Sequence, residues 1–260
     1  MFVPVAGVNW FYTSEGHGVP ILFLHGGFDT CANYSRLFEK LADSFRVIAP
    51  DRRGHGRTGD TDAPFDHTLM AEEVLEFADT LNLELFHLIG YSDGANIGLQ
   101  MAARFPERIA SLIAISGNYK GHSGMSAGWL ETQKALSLEF VREHMPEVLG
   151  QYAELNPRPK PEEFIDKTRE LWNRETIIGE DVLSSIRVPT LITGGDRDIV
   201  LPEQLIAMQR LIPNSSLMIL PYSGHFIFQD FAWSSIATNA ARTFKSFIAT
   251  RFAEHNTNFG

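Results

Sequence analysis

Short apolar runs alternate with longer amphipathic stretches through the first 118 residues of the chain. Residues 8–13 read as a strand. Residues 20–24 (PILFL), 46–50 (RVIAP), 85–89 (LFHLI) and 109–115 (IASLIAI) are apolar almost throughout. Between these runs, 33–42 and 93–104 carry helical patterns, and Ala71, Val74, Leu75, Ala78 and Leu81 recur three or four positions apart. A strand buried on both faces must be apolar at odd and even positions alike. Such strands alternating with helices predict a parallel sheet covered on both sides.

The pattern breaks after Asn118. From 119 to 187 no strand run occurs, only amphipathic pieces at 129–136, 140–149 and 162–172 and a proline-spaced stretch at 156–161 (NPRPKP). This segment reads as a helical cap, or lid, inserted into a core formed by 1–118 and 188–260. Strand character returns at 189–193 (PTLIT) and 216–220 (SLMIL), with a helix starting at Pro202 between them. A last helix would align Trp233, Ile236, Ala237, Ala240, Phe244, Phe247 and Ile248 on one stripe.

At 260 residues the chain suits one α/β domain. No stretch approaches the ~18 consecutive apolar residues of a membrane span. The first residues lack the basic and apolar regions of a signal peptide. The single Cys31 excludes an internal disulfide and fits a reducing compartment. A cytoplasmic protein is the expectation. A net charge of −10 would repel phosphate backbones and anionic lipid, so neither nucleic acid nor membrane is an expected partner. Oligomeric state is left open.

The run at 85–89 leads into Gly90-Tyr91-Ser92-Asp93-Gly94, and a helical pattern starts at once. This is G-x-S-x-G in a strand–turn–helix context, in which a sharp turn lifts the serine hydroxyl above the sheet edge. Glycines two positions to either side leave the backbone room. The helix start adds positive potential, and the Asp93 N–H can point at a developing oxyanion. Ser92 is therefore the candidate nucleophile.

These features, with His25-Gly26-Gly27 after one buried strand and Asp51-Arg-Arg-Gly-His-Gly-Arg57 after the next, resemble the α/β-hydrolase superfamily. The likeness extends over the chain outside the insertion. It implies an α/β-hydrolase fold: a mostly parallel eight-stranded sheet with helices on both faces and a helical cap. It also implies a serine hydrolase that acts on a small-molecule ester or related acyl substrate; no His/Cys/Asp cluster has metal-ligand spacing, and neither metal nor cofactor is expected. Haloalkane dehalogenases and epoxide hydrolases of this fold use an aspartate nucleophile, which serine at 92 disfavours.

A serine nucleophile needs a base, and the base needs a group that fixes its tautomer. Of nine histidines, His225 lies on a loop between the last strand and the last helix, where the superfamily's histidine sits. His87 falls within a strand, and His55 within a glycine loop. Asp196 and Asp198 both follow PTLIT. The superfamily's register, three residues past a glycine and four before a proline, selects Asp198 through Gly195 and Pro202. Asp196 would then cap the loop or pair with Arg197. By the same resemblance the second oxyanion donor is Gly27, with Phe28 the alternative and His25 bracing the loop.

Gly54-His-Gly-Arg-Thr-Gly59 also matches the dinucleotide fingerprint G-x-G-x-x-G. That fingerprint needs a helix opening inside the motif, whereas loop-type residues follow here. The elbow is also similar to that of biphenyl hydrolase-like proteins (valacyclovir hydrolases), in which the aspartate after the nucleophile receives a substrate amine. Asp93 would then bind a cationic ester. Alternatively it simply favours the helix N-terminus. Phe28, Asp93, Trp129 and Trp172 are the candidate substrate-binding residues. Cleavage of a carbon–carbon bond by the same triad is a rival activity. A non-catalytic receptor is a weaker rival, because all three triad members are present.

Overall fold

The computed structural model describes residues 1–226 and 236–257. The strands are β1 (Phe2–Val5), β2 (Val8–Glu15), β3 (Pro20–Leu24), β4 (Arg46–Pro50), β5 (Phe86–Tyr91), β6 (Ile109–Ile115), β7 (Thr190–Gly195) and β8 (Ser215–Leu220). They form one sheet in the order β1-β2-β4-β3-β5-β6-β7-β8. The pairs β1–β2 and β2–β4 are antiparallel and the others parallel. This is the α/β-hydrolase fold.

Alternate side chains of the central strands enter two separate cores. Leu22, Leu24, Leu88 and Leu112 pack on one face. Ile21, Phe23, Ile89 and Ile113 pack on the other. With a period of two, a strand can be apolar throughout only if both faces are covered. The first face carries α2 (His67–Thr80), α3 (Asp93–Arg104) and α9 (Pro202–Leu211). The second carries α1 (Ser35–Ala42) and α10 (Ile236–Thr257), where Ala241, Phe244 and Ile248 are buried. Trp233 of the expected last stripe lies outside the described residues.

Between β6 and β7 lie α4 (Ala127–Ala135), α5 (Leu138–His144), α6 (Pro146–Leu155), α7 (Pro161–Trp172) and α8 (Glu180–Ser185). Two details differ from the sequence expectation. The stretch 140–149 is not one helix, because Pro146 cannot extend α5 and Met145 turns out of helical geometry at φ −138°, ψ 49°. The strand β1 lies outside the sequence expectation: its apolar run, FVPV, is only four residues, includes a proline and leaves Phe2 exposed. It is set by a tight turn with Ala6 and Gly7 both at positive φ, which fits the twist of a hairpin. Among the described residues no helix is long and apolar enough to cross a membrane.

Candidate active site

Connections from β3 run to β4 on one side, and those from β5 run to β6 on the other. The carboxyl ends of β3 and β5 therefore flank a crevice where the strand order switches direction. The loop 25–28 leaves β3 there, and Ser92 leaves β5. Ser92 sits at φ 54°, ψ −118°, a conformation costly for any residue with a Cβ. A Cβ on Gly90 would overlap the Gly94 carbonyl, and one on Gly94 would overlap the carbonyls of Leu24 and His25. The two glycines thus let strand, turn and helix approach closely enough to hold the strained serine.

The three candidate catalytic side chains meet at this rim. His225 Nε2 stands 3.1 Å from Ser92 Oγ, and His225 Nδ1 stands 2.6 Å from Asp198 Oδ1. They arrive from the ends of β5, β7 and β8. Asp198 is 5% exposed and also accepts from the Ser116 hydroxyl at 2.5 Å and the Val200 N–H at 3.1 Å. Burial alone would raise its carboxyl. The hydrogen bond and charge of His225, with the Ser116 and Val200 donors, instead hold it below the usual carboxylate range. Asp196 takes the capping role, accepting the Ser223 N–H at 3.0 Å and so shaping the loop that carries His225. Tyr91 Oη fixes the same loop by donating to the His225 carbonyl at 2.6 Å.

Ser116 and Tyr91 are contributors that sequence reasoning passed over. Ser116 lies just after β6, where a search for a second carboxylate finds only Asn118. The structure puts a hydroxyl there, at φ 54°, donating to the acid rather than replacing it.

A cavity of about 1060 Å³ opens over Ser92. All the expected site residues except Asp198 line it: Gly27, Phe28, Ser92, Asp93, Trp129, Trp172 and His225. Phe28 and Trp172 meet edge to face at 4.9 Å, with Trp129 at 5.3 Å from Trp172, forming an aromatic wall shared by core and cap. Met125, Ile177, Ile199 and Val200 add apolar lining. Phe140 instead stacks on His144 and packs within the cap. Among the described residues no acceptor pairs with the N–H of Gly27, Phe28 or Asp93, so donors for an oxyanion are free beside the serine.

The Asp93 carboxylate is not free. Trp172 Nε1 donates to both oxygens at 3.1 Å, and His67 Nε2 lies 3.3 Å from Oδ1. Burial would raise its pKa, but His67, Arg52 and Trp172 outweigh that and hold it down to about 2. Its ties to a cap tryptophan and to a histidine at the start of α2 could not be read from spacing along the chain. The glycine segment 54–59 forms a loop, and the next helix opens only at His67. There Arg53 is fully buried, bound by Asp60 and Glu73 at 2.7 Å each.

A family model described as alpha/beta hydrolase fold matches residues 19–171. The chain belongs to the α/β-hydrolase fold family. It is 26% identical over 278 aligned residues to 2-hydroxymuconate semialdehyde hydrolase of Pseudomonas sp. (strain CF600), covering 96% of this chain and 92% of that one. Among solved structures it resembles a thermophilic esterase from Thermogutta terrifontis, with 22% identity, TM-score 0.75 and coverage of 96% and 99% of the two chains. It also resembles a meta-cleavage product hydrolase from Pseudomonas fluorescens, with 20% identity, TM-score 0.77 and coverage of 96% and 97%. At such identities the two structures speak for the fold.

Proposed function

We propose that this protein is a serine hydrolase that cleaves a small carboxylic ester through an acyl-enzyme. The observation that carries the reading is the continuous hydrogen-bonded line Ser92–His225–Asp198, ending on a strained serine at the floor of a cavity. Ser92 Oγ attacks the acyl carbon while His225 Nε2 takes its proton, and Asp198 holds the ring with its other nitrogen protonated. The tetrahedral oxyanion lies against the N–H groups of Asp93 and Gly27. As it collapses, the bond to the alcohol breaks and His225 returns the proton to the departing oxygen. Water then repeats the attack on the acyl-serine, giving the acid and restoring Ser92.

Asp93 we read as the tie between elbow and cap rather than as a receptor for a substrate amine. Its two oxygens already hold the Trp172 indole, and its side chain is 7% exposed. The mostly apolar wall of Phe28, Trp129 and Trp172 favours a neutral acyl or alcohol group. A second reading, hydrolysis of a carbon–carbon bond in a vinylogous diketone by the same three side chains, is favoured by the near-full-length likeness to a 2-hydroxymuconate semialdehyde hydrolase.

Labelling with a fluorophosphonate tests the common step. One equivalent should attach to Ser92 in the wild type and none in Ser92→Ala, and an unlabelled wild type would sink the proposal. A panel of p-nitrophenyl esters run beside a vinylogous diketone then separates the two readings by relative kcat/KM.

A further inference from the structure

Beneath the loop that leaves β3 lies a buried cation with no part in the steps above. Arg52 is 1% exposed, and among the described residues no carboxylate stands within ion-pair distance of it. Taking a guanidinium out of water is expensive unless its donors are used. Here Nη2 donates to the Gly26 carbonyl at 2.7 Å, Nη1 reaches Met70 Sδ at 3.4 Å, and Nε has no partner. The strongest contact of this cation is therefore one backbone oxygen of the loop beside Ser92.

That oxygen has a second donor. The Arg52 backbone N–H donates to His25 Nε2 at 3.0 Å, so Nε2 carries no proton. The ring proton then sits on Nδ1, which is 2.7 Å from the same Gly26 oxygen and donates to it. Burial, with Arg52 and His55 close by, keeps His25 far below its ordinary pKa and hence neutral. Two donors occupy both lone pairs of the Gly26 carbonyl. The peptide 26–27 is planar and trans, so its N–H points opposite to its C=O. With the oxygen held inward on Arg52 and His25, the Gly27 N–H faces the cavity that Gly27 lines.

We infer that Arg52, acting with His25, is a positioning residue that aims and polarises the Gly26–Gly27 peptide, making Gly27 rather than Phe28 the second oxyanion donor. The inference rests on the serine-hydrolase reading. A charge-assisted hydrogen bond to the carbonyl strengthens the N–H on the other side of the same amide. A donor fixed before reaction has no reorganisation left to undergo when charge develops. The Arg52 charge also acts on Asp93, whose carboxylate would otherwise oppose a neighbouring oxyanion.

The test uses p-nitrophenyl butyrate turnover and inhibition by a trifluoromethyl ketone, which forms an oxyanion on the serine. Arg52→Met should lower kcat roughly thirty- to hundredfold, short of the loss of a whole oxyanion donor, with KM within about twofold. Inhibitor Ki should rise in step with the fall in kcat/KM. Arg52→Lys keeps the buried charge and one donor, so it should fold and lose only about tenfold. If Arg52→Met does not fold, Arg52→Lys decides. In the wild type, the Gly27 amide proton should move downfield on ketone binding while that of Phe28 does not. A kcat within threefold of wild type in folded variants, a loss confined to KM, or movement of the Phe28 amide instead would each overturn the inference. Fluorophosphonate labelling of every variant keeps this outcome distinct: an unlabelled wild type removes the hydrolase reading itself.

Discussion

The floor of the cavity and its roof are built on different principles. On the floor each functional group follows from backbone geometry: a serine at positive φ between two obligatory glycines, and loops leaving the ends of β3, β5, β7 and β8. Every polar atom of Asp198 and His225 used there has a partner within 3.1 Å. The roof is made of side chains on short helices, Trp129 on α4 and Trp172 at the end of α7, packed by area and ring contact. The lesson is a division of labour. Changes to the floor should lower kcat for every substrate, whereas changes to the roof should sort substrates through KM.

The largest test of that division is Ser92→Ala. It should reduce kcat by about 10⁴- to 10⁶-fold, because in the proposed mechanism His225 and Asp198 act only through Ser92. The loss should be the same for short and long acyl esters. A loss that varied tenfold with chain length, measured under saturating substrate, would mean that floor and roof are not separable in this way.

The next effect concerns a bond that ties the roof to the elbow, Trp172 to Asp93. The folded-state pKa of Asp93 is about 2, below the roughly 3.9 of an unfolded aspartate. Ionised Asp93 therefore contributes stability that is complete above about pH 4 and is lost as pH falls toward 2, worth about 2 kcal/mol. Asp93→Asn should remove that slope. Urea unfolding at pH 6 and pH 3 should show the wild type losing more stability than the variant between the two. Equal losses would show that the carboxylate is not held as described.

How far this division was legible in the sequence depends on where the partners lie. Gly90, Ser92 and Gly94 declare themselves because a backbone requirement is local: a strand ending at Tyr91, a turn at Ser92 and a helix starting at Asp93. His225 was legible from its place after the last strand. Asp198 was not separable from Asp196 by chemistry, since both carboxylates follow the same strand, and the family register was needed to choose. Ser116, His67 and Arg52 were silent because their partners lie 82, 26 and 26 positions away and are met only through the sheet crossovers. In the cap, helical spacing continues on both sides of Pro146 and conceals a break. The apolar run of β1 is too short and proline-interrupted to read as a strand, and its tight turn completes it.

Two effects of similar size, roughly tenfold each, should partition oppositely. Ser116→Ala removes one of the donors to Asp198, leaving the Gly195 and Val200 N–H groups and His225. It should lower kcat about tenfold with KM unchanged, as expected for loss of one charge-assisted hydrogen bond. Trp129→Ala removes part of the roof. It should raise KM about tenfold for the longer acyl esters, a loss of roughly 1.4 kcal/mol of apolar contact, while kcat stays within threefold. Steady-state kinetics on one ester series read both. If Trp129→Ala lowered kcat uniformly, the cap would be part of the catalytic machinery.

The smallest expected effect is the most pointed. If Asp93 received a substrate amine, Asp93→Asn would depress kcat/KM for amino-acid esters by tenfold or more and spare neutral esters, since a partly desolvated ion pair is lost only with the former. If instead the carboxylate serves Trp172 and His67, the asparagine keeps an oxygen for the indole and both ester classes fall together. The ratio of their kcat/KM values then stays within about twofold of wild type. Because Asp93 remains ionised down to about pH 2, any amine dependence would follow the pKa of the substrate and not of the enzyme. Measuring the ratio at pH 6 and pH 8.5 separates the two. A ratio that is flat in pH and unmoved by Asp93→Asn leaves the carboxylate as the fastening between roof and floor, with selectivity resting on the aromatic wall above it.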